Sequence, residues 1–66
     1  MYVSLPEGLQ EIPVEEFEEL IENINWKRDS IGNLDRYFDI GRNRYFGWKD
    51  ISKGTFHVDP KFFQPA

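Results

Sequence analysis

Hydrophobic residues between positions 13 and 24 recur three and four residues apart, which is the spacing of one side of an α-helix. Pro13 suits the first helical position because it needs no amide hydrogen bond there, and acidic residues in the first turn suit the helix dipole. The pattern predicts an amphipathic helix over residues 13–24. Its apolar stripe comprises Val14, Phe17, Leu20, Ile21 and Ile24, and its polar side carries Glu15, Glu18, Glu19 and Glu22.

Residues 44–59 alternate with the two-residue period of a β-hairpin. A loop over residues 52–54, with its glycine in the left-handed conformation, pairs Ile51 with Thr55. A two-residue loop at 53–54 shifts this pairing by one residue and divides the apolar side chains between both faces, so the hydrophobic pattern favours the longer loop. The favoured register places Phe46, Trp48, Phe56 and Val58 on one face and Tyr45, Lys49, Ile51, Thr55 and His57 on the other.

The segment over residues 27–40 fits two structures. We favour a loop through Asn33, then a strand over residues 36–40 and a turn at 41–43. Gly32 weighs against a helix there, because glycine costs about 1 kcal/mol relative to alanine in a helix interior. The competing helix would be capped by Asp29 or Ser30, carry Ile31, Leu34 and Phe38 on one face and stop at Gly41.

These elements predict a single small α+β domain over residues 1–66, with one amphipathic N-terminal helix packed on a small antiparallel β-hairpin or three-stranded meander. A chain of 66 residues buries only about 60% of the surface that its unfolded form exposes. The two Trp, three Tyr and six Phe compensate for this small size, since each buries about 150–250 Å².

Charge is unevenly distributed along the chain, whose formal net charge is −4. The acidic helical part, residues 1–26, carries seven glutamates and no lysine or arginine. The basic, aromatic-rich hairpin part, residues 27–66, carries eight basic and five acidic residues. This asymmetry predicts two faces of opposite sign, and the simplest hypothesis is that they attract each other within the fold.

Groups that could carry chemistry are few. The absence of cysteine excludes disulfides, thiolate zinc sites and cysteine nucleophiles. His57 and Asp59 share a strand face, but a metal site needs three or four ligands. The serines and glycines form no nucleophile elbow or phosphate loop. We therefore expect no enzyme, no catalytic residue, no cofactor and no metal site.

The expected location is the cytoplasm, without membrane contact. No apolar run in the sequence approaches the ~18 residues that span a bilayer. The first residues lack the basic region and the long apolar core of a secretory signal.

The composition favours a binding role. We expect a small protein-binding module that acts as an inhibitor, adaptor or regulator, through the acidic helix face or the outer hairpin face. Homodimerisation through an outer face with Tyr45 and Ile51 is a further hypothesis. The residues expected to contact a protein partner are Glu15, Glu19, Glu22, Tyr45 and Lys49.

The alternative function is nucleic-acid binding by basic residues that are interleaved with aromatic ones on the hairpin. If residues 30–40 form a helix, the order helix, helix, hairpin resembles a winged helix-turn-helix, and this resemblance implies a DNA-binding regulator. The overall negative charge weighs against this alternative. The residues of the alternative site are Arg42, Arg44, Lys49 and Lys53.

Overall fold

The computed structural model describes residues 2–63. Within that range the chain forms five strands, one α-helix and one 3₁₀ helix. The first strand precedes the α-helix, and the other four strands follow it. The bounds are β1 Gln10–Ile12, α1 Val14–Ile21, β2 Trp26–Ile31, β3 Leu34–Asp39, β4 Arg44–Asp50, β5 Thr55–Val58 and the 3₁₀ helix Pro60–Phe63.

All five strands belong to one antiparallel sheet with the spatial order β1-β5-β4-β3-β2. Strands β2 to β5 form a meander, and β1 joins it by pairing with β5. The predicted fold, a helix on a two- or three-stranded sheet, is therefore wrong, because the sheet predominates and α1 has only eight residues. The error arose at residues 27–33, whose charged side chains suggested a loop but belong largely to the exposed edge strand β2.

A two-residue turn, Gly32 and Asn33, joins β2 to β3, and across it Ile31 pairs with Leu34. Gly32 has a φ of 58°, the left-handed value that a type II′ turn requires at its first central position. The helix considered over residues 30–40 is therefore wrong, and the resemblance to a winged helix-turn-helix falls with it.

The strand favoured over residues 36–40 exists, but its bounds differ from the prediction. Strand β3 begins two residues earlier and ends at Asp39. The predicted turn at residues 41–43 is confirmed, and there Asn43 adopts a left-handed φ of 58°. The turn leads directly into β4, as the preferred alternative required.

The predicted register of the β4–β5 hairpin is wrong by one residue. The loop contains four residues, 51–54, so Asp50 rather than Ile51 pairs with Thr55. Gly54 does have the predicted left-handed conformation, with φ 69°, and its amide donates to the carbonyl of Asp50 at 2.7 Å. The observed pairing places Gly47, Lys49, Phe56 and Val58 on one face and Trp48, Asp50, Thr55 and His57 on the other.

A β-bulge in β4 explains why the hydrophobic pattern predicted the wrong hairpin register. The register shifts between Tyr37 and Phe38, which leaves Phe46 as the extra residue of β4. Phe46 and the adjacent Gly47 consequently both face α1. Phe46 is fully buried, and a Cβ on Gly47 would lie 2.7 Å from the ring of Phe17. Strict alternation fails at this point, so it could not give the correct register.

The core lies between α1 and the sheet. Phe17, at the centre of α1, is 1% exposed, and its ring centroid lies 4.8 Å from that of Tyr37 and 4.7 Å from that of Phe56. The helix ends three residues earlier than predicted, and Val14 of the apolar stripe is exposed. The other buried members are Ile12, Tyr37, Phe46, Val58 and Phe62, with Leu20, Ile21, Ile24, Trp26 and Phe56 packed against them.

The face of the sheet opposite α1 also buries side chains. Leu34 and Trp48 lie on this outer face by strand alternation, and both are buried. The amide of Val3 donates to Oδ1 of Asn33 in the β2–β3 turn, and the chain then reaches β1 at the opposite edge of the sheet. The segment between these two points therefore runs from one edge of the sheet to the other.

Candidate protein-binding surface

The glutamates of α1 form an exposed acidic surface. Glu15 and Glu19 of α1 and its C-cap residue Glu22, which keeps helical backbone angles, are spaced four and three residues apart. They form one row along this side of the helix, which we call the acidic row. The row is about 10 Å long at the helical rise of about 1.5 Å per residue. Glu16 and Glu18 are also exposed and lie on either side of it.

No lysine, arginine or histidine among residues 2–63 forms an ion pair with these glutamates. Both ion pairs in this range join residues of the basic part, 27–66: Arg36 with Asp29 at 2.9 Å, and Arg42 with Asp39 at 3.7 Å. The hypothesis that the two halves attract each other thus finds no direct ion pair here. The acidic row faces solvent with its charge uncompensated by close contacts.

The four residues of the alternative nucleic-acid site do not form one surface. The guanidinium groups of Arg42 and Arg44 lie 4.6 and 5.1 Å from the ring centroid of Phe62, at one end of β4. Lys53 lies in the loop at the other end of this strand, roughly 20 Å away at about 3.3 Å per residue. Lys49 lies between them with its Nζ over a phenylalanine ring.

The predicted outer hairpin surface is also divided. The bulge turns Tyr45 to the outer face, where its hydroxyl donates to Oδ2 of Asp29 at 3.1 Å. Lys49 faces the α1 side, with Nζ 5.4 Å from the ring centroid of Phe56. Tyr45 and Lys49 therefore lie on opposite sides of the sheet, and Ile51 lies exposed in the β4–β5 loop.

Asp29 and Arg36 organise the outer face, although the sequence pattern suggested Asp29 only as a helix cap and suggested no contact between the two residues. Nε and Nη2 of Arg36 donate to the two carboxylate oxygens of Asp29, each at 2.9 Å, and the guanidinium lies 4.6 Å from the Tyr45 ring centroid. The hydrogen bond from Arg36 holds the pKa of the Asp29 carboxyl below its ordinary value of 3.8. The dipeptide Gly32–Asn33 is typical of two-residue hairpin turns and would have aligned the two residues.

Two open grooves adjoin α1 and meet at Leu20 and Phe63. The larger, of about 530 Å³, is bordered by polar and apolar residues alike, near the end of the helix and the β3–β4 turn. The smaller, of about 380 Å³, lies between α1, β1 and the 3₁₀ helix, and we call it the α1/β1 groove. Its lining comprises Gln10, Ile12, Glu16, Leu20, Val58, Pro60 and Phe63.

The candidate chemistry of His57 and Asp59 is not assembled. Nε2 of His57 lies 2.9 Å from Oγ1 of Thr55, and Oδ1 of Asp59 accepts from the amide of Lys61 at 3.0 Å. Among residues 2–63, no three His, Cys, Asp or Glu side chains are grouped so as to hold a metal ion. No helix in this range is long and apolar enough to cross a membrane.

The candidate surface therefore consists of the acidic row and the adjoining α1/β1 groove, both of which depend on α1. Phe17 fixes the helix on the sheet, and this packing directs the glutamates of the row away from the core. No protein-family model, curated protein or solved structure matches this chain.

Proposed function

We propose that this chain is a small, non-enzymatic protein-binding module that docks a basic protein partner through the acidic row of α1, and so acts as an inhibitor, adaptor or regulator. The observation that carries the proposal is that the glutamates of the row are unpaired among residues 2–63, whereas two arginines form ion pairs. The glutamates of the row are exposed and have no cationic partner within residues 2–63, whereas Arg36 and Arg42 are paired with carboxylates of their own chain.

The row contributes mainly to the rate and specificity of association. Two unit charges 4 Å apart attract by only about 1 kcal/mol in bulk water, and salt screens this further. Complementary charge does speed the encounter of two proteins and disfavours partners of like charge. Affinity must then come from apolar contact beside the row, because interface cores are depleted of charged residues.

Nucleic-acid binding, the alternative function, has less support from the geometry. It requires Arg42, Arg44, Lys49 and Lys53 to act together, and these residues lie at both ends of β4. Three of them lie over aromatic rings of the same chain, an arrangement that competes with stacking on a base. The acidic row would also repel a phosphate backbone.

Capture followed by titration tests the proposal. The full chain, immobilised, is exposed to an extract of its own cells, and each retained protein is purified and titrated against the chain. A matched pair of variants assigns the surface: Glu19→Lys with Glu22→Lys in the row, and Glu7→Lys with Glu11→Lys away from α1. Both pairs change the net charge equally, and lysine near the end of α1 suits the helix dipole.

We expect one basic protein to bind stoichiometrically. Its affinity for the variant of the acidic row should be at least tenfold weaker than its affinity for the control variant. Equal affinity for both variants would remove the acidic row as the docking surface. A saturable response of Trp26 and Trp48 fluorescence to duplex or single-stranded DNA, fading steeply between low salt and ~0.2 M, would favour the nucleic-acid alternative instead.

A further inference from the structure

The α1/β1 groove has an apolar floor and one charged side. Ile12 and Val58 are buried beneath it, and Leu20 and Phe63 form walls that remain partly exposed. Phe63 is 41% exposed although its neighbour Phe62 is 6% exposed, so the 3₁₀ helix buries one ring and presents the other. A groove of this kind has room for an apolar side chain.

Charge on the helix side of the groove indicates what kind of segment would carry that side chain. Glu16 lines the groove, and Glu19 lies three residues further along the same helix, next to Leu20. Neither glutamate has an ion-pair partner among residues 2–63. A segment with lysine or arginine on either side of one apolar residue complements both the floor and this rim.

We infer that the α1/β1 groove receives one apolar side chain from a basic segment of the protein partner, an inference that rests on the proposed function and names the partner's chemistry. The groove supplies the burial that the acidic row lacks. At about 380 Å³ it lies near the lower end of the roughly 300–1,000 Å³ range of small-molecule pockets, which suits a side chain better than a large ligand.

Two synthetic peptides test this without altering the protein. Each has three basic residues on either side of one central position, which is leucine in the first and alanine in the second, and each carries a fluorescein label. Fluorescence anisotropy with the full chain at ~0.15 M salt measures both affinities. Burial of the additional carbon atoms predicts about tenfold tighter binding of the leucine peptide.

Matched substitutions then locate the binding. Phe63→Ser removes a groove wall and is expected to abolish the preference for leucine, whereas Ile51→Ser, at a similarly exposed apolar residue in the β4–β5 loop, leaves it intact. Glu16→Lys is expected to weaken the binding of both peptides more than Glu18→Lys does. Positions 16 and 18 lie about 200° apart around the helix, so only the first borders the groove.

Equal affinity for the two peptides, or no saturable binding of either, would overturn the inference. So would a leucine preference that survives Phe63→Ser. Equal affinities that both fall in the variant with Glu19→Lys and Glu22→Lys would leave the acidic row in place and remove only the groove. A leucine preference with affinities unchanged in that variant would keep the groove as a binding site and remove the acidic row.

Discussion

Charged side chains on the outer face of the sheet pair with each other, whereas the glutamates on the exposed side of α1 do not pair with any cation among residues 2–63. On the outer face Asp29 accepts hydrogen bonds from Arg36 and Tyr45, so its charge is balanced within the fold. On α1 the glutamates have no close cation among residues 2–63. The first arrangement supports the hairpins that carry it, whereas in the second only the first-turn glutamates aid folding, through the helix dipole.

The two sides also differ in what lies beneath them. On the α1 side the rings of Phe17, Tyr37, Phe46 and Phe62 are all buried, while the outer face buries Leu34 and Trp48. Stability should therefore depend most on the α1 side of the sheet and least on the surface of α1 itself.

Phe46→Ala is expected to have the largest effect, a loss of about 3–5 kcal/mol in the free energy of unfolding. Phe46 is fully buried and contacts rings on both sides, so its removal leaves a cavity. A domain of this size has only a few kcal/mol to lose. Urea unfolding followed by tryptophan fluorescence measures the change, with the half-exposed Ile51→Ala as control. Similar losses for the two variants would contradict the assigned core.

Gly47→Ala is expected to cost about 1–3 kcal/mol, because the new Cβ would lie 2.7 Å from the buried ring of Phe17. Gly41→Ala is the matched control, since its Cβ would approach only a side-chain oxygen, at 3.3 Å. Thermal unfolding of both variants compares them directly. An unaltered melting temperature for Gly47→Ala would show that the bulge does not direct this glycine toward α1.

Asp29→Asn tests the outer network and is expected to cost no more than about 1 kcal/mol, since the pair is half exposed and screened by solvent. The pKa of Asp29 is lower in the folded chain than its ordinary 3.8, so the carboxylate stabilises the fold above that pH. The difference between wild type and variant should shrink as the pH falls below about 3.8. A difference that is independent of pH would exclude the ion pair as its cause.

Glu18→Gln is expected to change stability by less than about 0.5 kcal/mol, and any change should be favourable. Glu18 is three and four residues from Glu15 and Glu22, so its removal relieves repulsion between like charges. Urea unfolding at low salt measures this effect. A clear loss of stability would show that the surface of α1 does have a structural role.

Sequence reasoning located α1 because its apolar residues follow the helical period without interruption. It missed β2 because an edge strand with both faces exposed shows no hydrophobic alternation, and Lys27, Arg28 and Asp29 resemble a polar loop. The turn dipeptide at 32–33 would have given the hairpin, and the hairpin would have placed Asp29 opposite Arg36. Local turn chemistry was more informative in this segment than periodicity.

One β-bulge caused both the error in the predicted β4–β5 register and the separation of the predicted site residues Tyr45 and Lys49. A bulge gives two neighbouring residues the same orientation, so Phe46 reaches the core while Tyr45 and Trp48 face outward together. The alternation of polar and apolar residues in β4 does not indicate the bulge. The one local signal is Gly47, which can approach Phe17 closely because it has no side chain. These errors do not change the positions of the acidic-row residues, which depend only on the helix and its C-cap, and their role in binding stays a prediction.

Docking through the acidic row is best tested by the affinity of the captured, purified partner for two variants, measured side by side at ~0.15 M salt. One carries Glu19→Lys and Glu22→Lys in the acidic row, and the other carries Glu7→Lys and Glu11→Lys. We expect at least tenfold weaker binding for the row variant, while both variants melt near the wild-type temperature. Equal affinity for the two variants would contradict it.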